Sequence, residues 1–246
     1  MKPIILAVGL LSAALLAACG GGGSSGGVEA TPSAAPGPSP TPTPTASTYS
    51  AQKAWINLFS STRTWTVTGV GSDSKPYVLT LATQVGGSEA FPVTGVSATK
   101  SVFQNIVNDG TTTQTVLNEQ YLDAEYRMLG SRVSTDGGPP SCSKTDIVAA
   151  VPFASASVGT TGPLYAATTL SDCVANATQL GTSYHTWSLI SDAGVVYLCV
   201  ASGNRFFGEA TDRLSETCVE TDAAGNLGAK ARIKLVLPGF TLTATN

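Results

Sequence analysis

The chain has 246 residues, enough for one or two domains. Only 12% of them are charged, about half the usual fraction of roughly 25%, and the net charge of −3 leaves no basic field for nucleic acid. The one histidine, His185, removes most zinc sites and most histidine-dependent catalysis. In chain order, residues 1–18 come first: Lys2, an apolar run from Ile4 to Leu16, then small residues. That run is shorter than the roughly 20 residues a membrane-spanning helix needs, and it reads as a signal peptide.

The exit Leu16-Ala17-Ala18-Cys19 resembles the lipobox of bacterial lipoproteins. The resemblance implies cleavage before Cys19, a diacylglycerol on its sulfur, and a further acyl chain such as palmitate on the new amino group. Each buried CH₂ then contributes about 0.8 kcal/mol to membrane attachment. Gly20 follows the cysteine in place of Asp, so the resemblance implies a lipid anchor in the outer membrane, facing either the periplasm or the cell surface. Every residue of 20–48 except Val28 and Glu29 is Gly, Pro, Ser, Thr or Ala. Such a segment cannot offset the entropy of ordering, so residues 19–48 are expected to form a lipidated, disordered tether. Its reach is roughly 30 Å as a coil and ~100 Å fully extended. Gly21 to Gly26 matches a dinucleotide fingerprint in spacing alone, without strand or helix around it, and implies no cofactor.

Residues 49–246 read as one β-rich domain. It opens on an amphipathic helix with Ala51, Ala54, Trp55, Leu58 and Phe59 on one face and Ser50 as N-cap. Period-two alternation follows. Trp65 and Val67 oppose Thr64, Thr66 and Thr68, and near the end Ile233, Leu235 and Leu237 oppose Arg232 and Lys234. This pattern predicts an all-β fold of about ten mainly antiparallel strands, a sandwich or a barrel. Turns are expected at Asn108-Asp109-Gly110, at Ser191-Asp192-Ala193-Gly194 and across Asp222–Asn226. Thr64-Trp65-Thr66-Val67 with its Ser-Asp turn is echoed by Thr186-Trp187-Ser188-Leu189, an echo that two related lobes would produce.

With Cys19 lipidated, four cysteines remain, an even count that predicts two disulfides in an exported chain. Cys199 alternates with Leu198 and Val200, and Cys218 shares its face with Glu216 and Glu220, so both point outward from one expected hairpin. A register that pairs them sets Leu198 opposite Val219 and leaves Cys142 to pair with Cys173. Cys199–Cys218 is expected to brace the base of a long loop, Ser202 to Glu209, in which Arg205, Phe206 and Phe207 form the candidate binding site. The alternative for the rings is structural, one plugging the end of the fold and the other lying over it.

No nucleophile elbow, zinc motif, phosphate loop or calcium loop is present, so neither a metal nor a catalytic residue is assigned. Carboxylates could serve a hydrolase, Asp123 with Glu125 or Glu209, Asp212 and Glu216, but solvated turn and edge charges account for them more simply. The chain resembles small tethered lipoproteins of Gram-negative bacteria with a Gly-rich run after the cysteine. Its β-domain is similar to surface lipoproteins whose β-barrel lobes bind host or nutrient proteins. The expected function is non-enzymatic binding of a protein, glycan or small ligand, without nucleic acid. The alternatives are a structural or assembly component of the periplasm and a carboxylate-dependent hydrolase.

Overall fold

The structure is a computed structural model that describes residues 47–136, 138–148 and 151–246. The signal peptide, Cys19 and the tether up to Ala46 lie outside the described residues. After a two-residue strand β1 (Thr48–Tyr49) comes helix α1 (Ala51–Ser60). Six strands follow: β2 (Arg63–Gly71), β3 (Pro76–Ala90), β4 (Ser97–Asn108), β5 (Thr113–Leu122), β6 (Met128–Thr135) and β7 (Ser141–Val148). The short β8 (Ala156–Ser157) pairs with β1. Then run β9 (Thr161–Leu170), β10 (Gln179–Asp192), β11 (Val195–Phe206), β12 (Arg213–Thr221), β13 (Leu227–Leu237) and β14 (Phe240–Thr245).

Twelve of these strands close into one antiparallel barrel in the order β10-β11-β12-β13-β14-β2-β3-β4-β5-β6-β7-β9. Of the two expected architectures the chain takes the barrel, because β14 pairs with β2 and β7 pairs with β9 and no edge is left open. The strand count exceeds the expected ten. The two Trp-containing segments lie in the same wall, where β2 and β10 run in opposite directions, and not in two lobes. The tether boundary also moves: Thr48, counted as tether, already pairs with Ser157.

The helix forms where its periodicity puts it, and the five apolar residues of its expected face are all buried. Ser50 occupies the N-cap position but makes no side-chain capping bond. Instead the Ser50 amide donates to Ala223 O and the Gln52 amide to Phe153 O, so loops of the barrel serve the helix start. α1 touches β3, β4, β11 and β13, strands from opposite sides of the wall, and therefore lies across the lumen at one end. Phe59 meets Phe103 at 5.3 Å and Trp55 donates its indole N–H to Tyr126 O. Trp55, Leu58 and Phe59 share one core with Trp65, Leu79, Trp187, Leu198 and Leu235, the inward residues of the wall. A smaller cluster of Phe91, Val93, Tyr121 and Leu170 lies apart from it, and Gly130 is required there because a Cβ would sit 2.4 Å from the Phe91 ring.

Both disulfides join the expected partners, Cys142 with Cys173 and Cys199 with Cys218. In the wall Cys199 stands directly opposite Cys218, and Leu198 opposite Val219. The sulfurs face away from the lumen, as the alternation requires, yet neither is exposed: Tyr197, Ile190 and Val195 pack around them. One expectation fails. The bridge does not brace the base of a loop, because β11 continues through Phe206 and the turn before β12 spans only 207–212. Strand pairing from Asn204↔Arg213 to Tyr197↔Glu220 places the bridge in mid-ladder.

Candidate functional site

The lumen is chemically divided. Strands β13, β14, β2 and β3 line it with apolar side chains, whereas β5, β6, β7, β9 and β10 contribute amides, hydroxyls and the imidazole. Ladder registers set out a continuous polar row: Ser101 pairs with Gln120, Gln120 with Ser131, Ser131 with Ser143, Ser143 with Thr169, Thr169 with Gly181, and Gly181 with Phe206. Because residues two apart share a face, Asn118 flanks this row on β5 and Ser183 and His185 flank it on β10. A cavity of about 90 Å³ is lined by these groups, with Val133 and Tyr165 beside them and Ser141, Phe206 and Arg213 at the strand ends opposite α1. Gly181 is required on this row because a Cβ there would lie 2.2 Å from Arg205 O.

Five side chains that line the cavity are more than nine-tenths buried, Cys142, Ser183, Asn118, Gln120 and His185, the last three with exposures of 4%, 1% and 8%. Asn118 Oδ1, Gln120 Oε1 and His185 Nδ1 are buried without a hydrogen-bond partner among the described residues. A buried polar atom left unpaired costs about 1–3 kcal/mol, so three such atoms around one space are a pronounced departure from ordinary core chemistry. Ser131 and Ser143 bond each other at 2.8 Å, which leaves one of the two hydroxyl protons free to point elsewhere.

His185 stacks on Tyr165 with ring centroids 3.9 Å apart, and its Nε2 lies 3.1 Å from Ser183 Oγ. Burial disfavours the charged imidazolium and lowers its pKa from 6.5 to about 3. The same burial pushes the Tyr165 phenol well above its usual range. At neutral pH the cavity therefore holds a neutral imidazole and a neutral phenol. A Ser beside a His is half of a nucleophile–base pair. Here Nδ1 has no carboxylate to orient it, and a base with a pKa near 3 is far from the value that suits proton transfer at neutral pH.

Arg205, Phe206 and Phe207, the candidate binding residues, separate. Phe206 lines the cavity, with the Arg213 guanidinium 5.0 Å from its ring centroid. Phe207 is 63% exposed, and its amide donates to Leu180 O. Arg205 is taken up by Asp212 at 2.5 Å on the outer side. Strand alternation turned Phe206 inward and its neighbours outward once β11 extended to residue 206. Sequence reasoning missed Asn118, Gln120, Ser131, Ser143 and Thr169. Their one visible signal was polar residues at the inward parity of strands with few apolar residues.

The carboxylates weighed for hydrolysis do not assemble. Asp123 and Glu125 share no strand face; they lie in the β5–β6 turn, where both hold Arg127. Glu209 pairs with Arg213 in the turn at the other end of the barrel, and Glu216 faces Arg232 at 3.9 Å. No carboxylate lines the cavity among the described residues. Cys199, Glu216 and Cys218 cluster at metal-ligand distance, but both sulfurs are consumed in the bridge. No family model, no curated protein and no solved structure matches the chain.

Proposed function

We propose that this chain is a lipid-anchored envelope protein whose barrel binds a small ligand, or the end of a glycan, in its lumen without transforming it. The carrying observation is the set of unpartnered buried polar atoms on Asn118, Gln120 and His185 around a cavity that reaches the barrel end opposite α1. Polar groups kept buried without partners cost stability, and a ligand that pairs with them recovers that cost on binding. Ion-paired carboxylates and a histidine held neutral favour binding over hydrolysis. The lipobox at Leu16–Cys19 and the two bridges, which need an oxidising compartment, support the outer-membrane anchor.

Two measurements test this. A thermal-shift panel of small neutral and charged molecules on the full chain is expected to yield a stabilising ligand, and Ser143→Phe, which fills the cavity, is expected to lose that shift. No stabilising compound, or an undiminished shift in the variant, contradicts binding in the lumen. In cells fed labelled palmitate the protein is expected to carry label that Cys19→Ser abolishes; label retained by the variant contradicts the anchor. A second reading has one observation of its own. Phe207, Leu180 and Tyr184 are exposed apolar residues on β10 and just past the end of β11, a surface that suits an envelope partner.

A further inference from the structure

The lining of the cavity restricts what can enter it. Its one charged member is Arg213 at the rim, and Glu209 already occupies that guanidinium through two hydrogen bonds. An ionic ligand would shed its hydration and meet no free countercharge, so the chemistry selects a neutral one. No hydrogen bond among the described residues reaches the Asn118 or the Gln120 carboxamide, and each therefore offers an N–H₂ donor and a C=O acceptor side by side. The Ser131–Ser143 pair and His185 Nδ1 add groups that donate or accept according to the hydroxyl rotor and the tautomer. The complement of alternating donors and acceptors is a group that does both at each position, which is the hydroxyl.

Size and shape agree. At a share of about 30 Å³ per water the 90 Å³ cavity holds roughly three waters, the space of one edge of a sugar ring. Phe206 and Val133 provide apolar surface for C–H groups between those hydroxyls.

We infer that the lumen receives a neutral polyhydroxyl group, either a free polyol or monosaccharide or the terminal sugar of a glycan. Its hydroxyls bond the Asn118 and Gln120 carboxamides and His185 Nδ1, and its C–H face lies against Phe206. This rests on the lumen being a binding site, and the test separates the two.

Because His185 is the only histidine, full-length chain labelled with ¹⁵N-histidine gives one imidazole spectrum. The probes are methyl glycosides of glucose, galactose and N-acetylglucosamine, inositol and short oligosaccharides, with acetate, phosphate, glycine, urea and acetamide as contrasts. The expected result is a saturable change in the Nδ1 resonance with a polyhydroxyl probe and none with the ions. Asn118→Leu and Gln120→Leu should each weaken that binding roughly tenfold, the worth of one neutral hydrogen bond. Tighter binding of oligosaccharides than of methyl glycosides identifies the glycan end, and equal binding identifies the free sugar. Saturable shifts with only the ions or amides overturn the polyhydroxyl assignment and leave the lumen a binding site. No shift with any probe overturns both. The wild-type titration decides on its own if a variant does not fold.

Discussion

Gln120 and Asn118 each sit at a point where an apolar side chain is the ordinary solution. Their neighbours on the opposite face of β5 are engaged: Tyr121 meets the Phe91 ring and Glu89, and Glu119 meets Lys100 and Arg132. The inward carboxamide oxygens are left without partners among the described residues, so their retention has a stability cost. Gln120→Leu is therefore expected to stabilise the ligand-free protein by about 1 kcal/mol, read as a higher urea midpoint. A loss of similar size would show that the carboxamide is satisfied in the native state. At this scale the sequence was a partial guide. His185 shares strand parity with Trp187 and lies inward as it does, but nothing in one strand reveals that Gln120, Ser131, Ser143 and Thr169 fall on one row. That row is created by inter-strand registers set far apart in the chain.

Among the elements, the hairpins carry most of the information that was legible. The β10–β11 connection is a two-residue turn in which Ala193 and Gly194 take φ of 49° and 81°, the pair of positive values that a twisted two-residue hairpin requires. Gly194 adopts this freely, whereas Ala193 bears a Cβ in a region that costs L-residues roughly 1 kcal/mol. Ala193→Asn is expected to stabilise the fold by about 0.5–1 kcal/mol, measured by equilibrium denaturation. An unchanged or lower midpoint would argue against that turn geometry. That turn sets the β10–β11 register, with Ser188 opposite Cys199, and the ladder on either side of the 207–212 turn sets Cys199 opposite Cys218. Alternation along β11 and β12 predicted the Cys199–Cys218 bridge and its outward face. The extent of β11 was less legible: Ser202-Gly203-Asn204 has loop composition, yet it pairs on both sides. Gly203 is tolerated in the strand because the Tyr184 ring lies where its Cβ would be.

For the whole molecule, closure decides the character of the interior. A twelve-stranded wall encloses more lumen than its own side chains fill, and α1 occupies one end of it with Trp55, Leu58 and Phe59. The helix stripe was visible in the sequence, but its place across the lumen was not, since that depends on loops such as Asp222–Asn226, whose Gly225 carbonyl accepts from Asn57. What the helix and the apolar strands leave over is the polar cavity, with the only imidazole of the chain inside it.

This interior holds His185 neutral and buried beside Ser183 and Tyr165. Folding stability against pH for the wild type and His185→Gln tests that most directly. The unfolded chain takes up a proton near pH 6.5 and the native chain not until about 3, so stability is complete above 6.5 and declines as pH falls through that window. The slope approaches about 1.4 kcal/mol per pH unit. Glu89 and Asp222, whose carboxyls are lowered by their hydrogen bonds, add their own loss only in the more acidic carboxylate range. The wild type is expected to lose stability between pH 6.5 and 5 while His185→Gln stays flat there. Parallel profiles would contradict it, because an imidazole that titrates alike in the native and unfolded chains is not enclosed in this lumen.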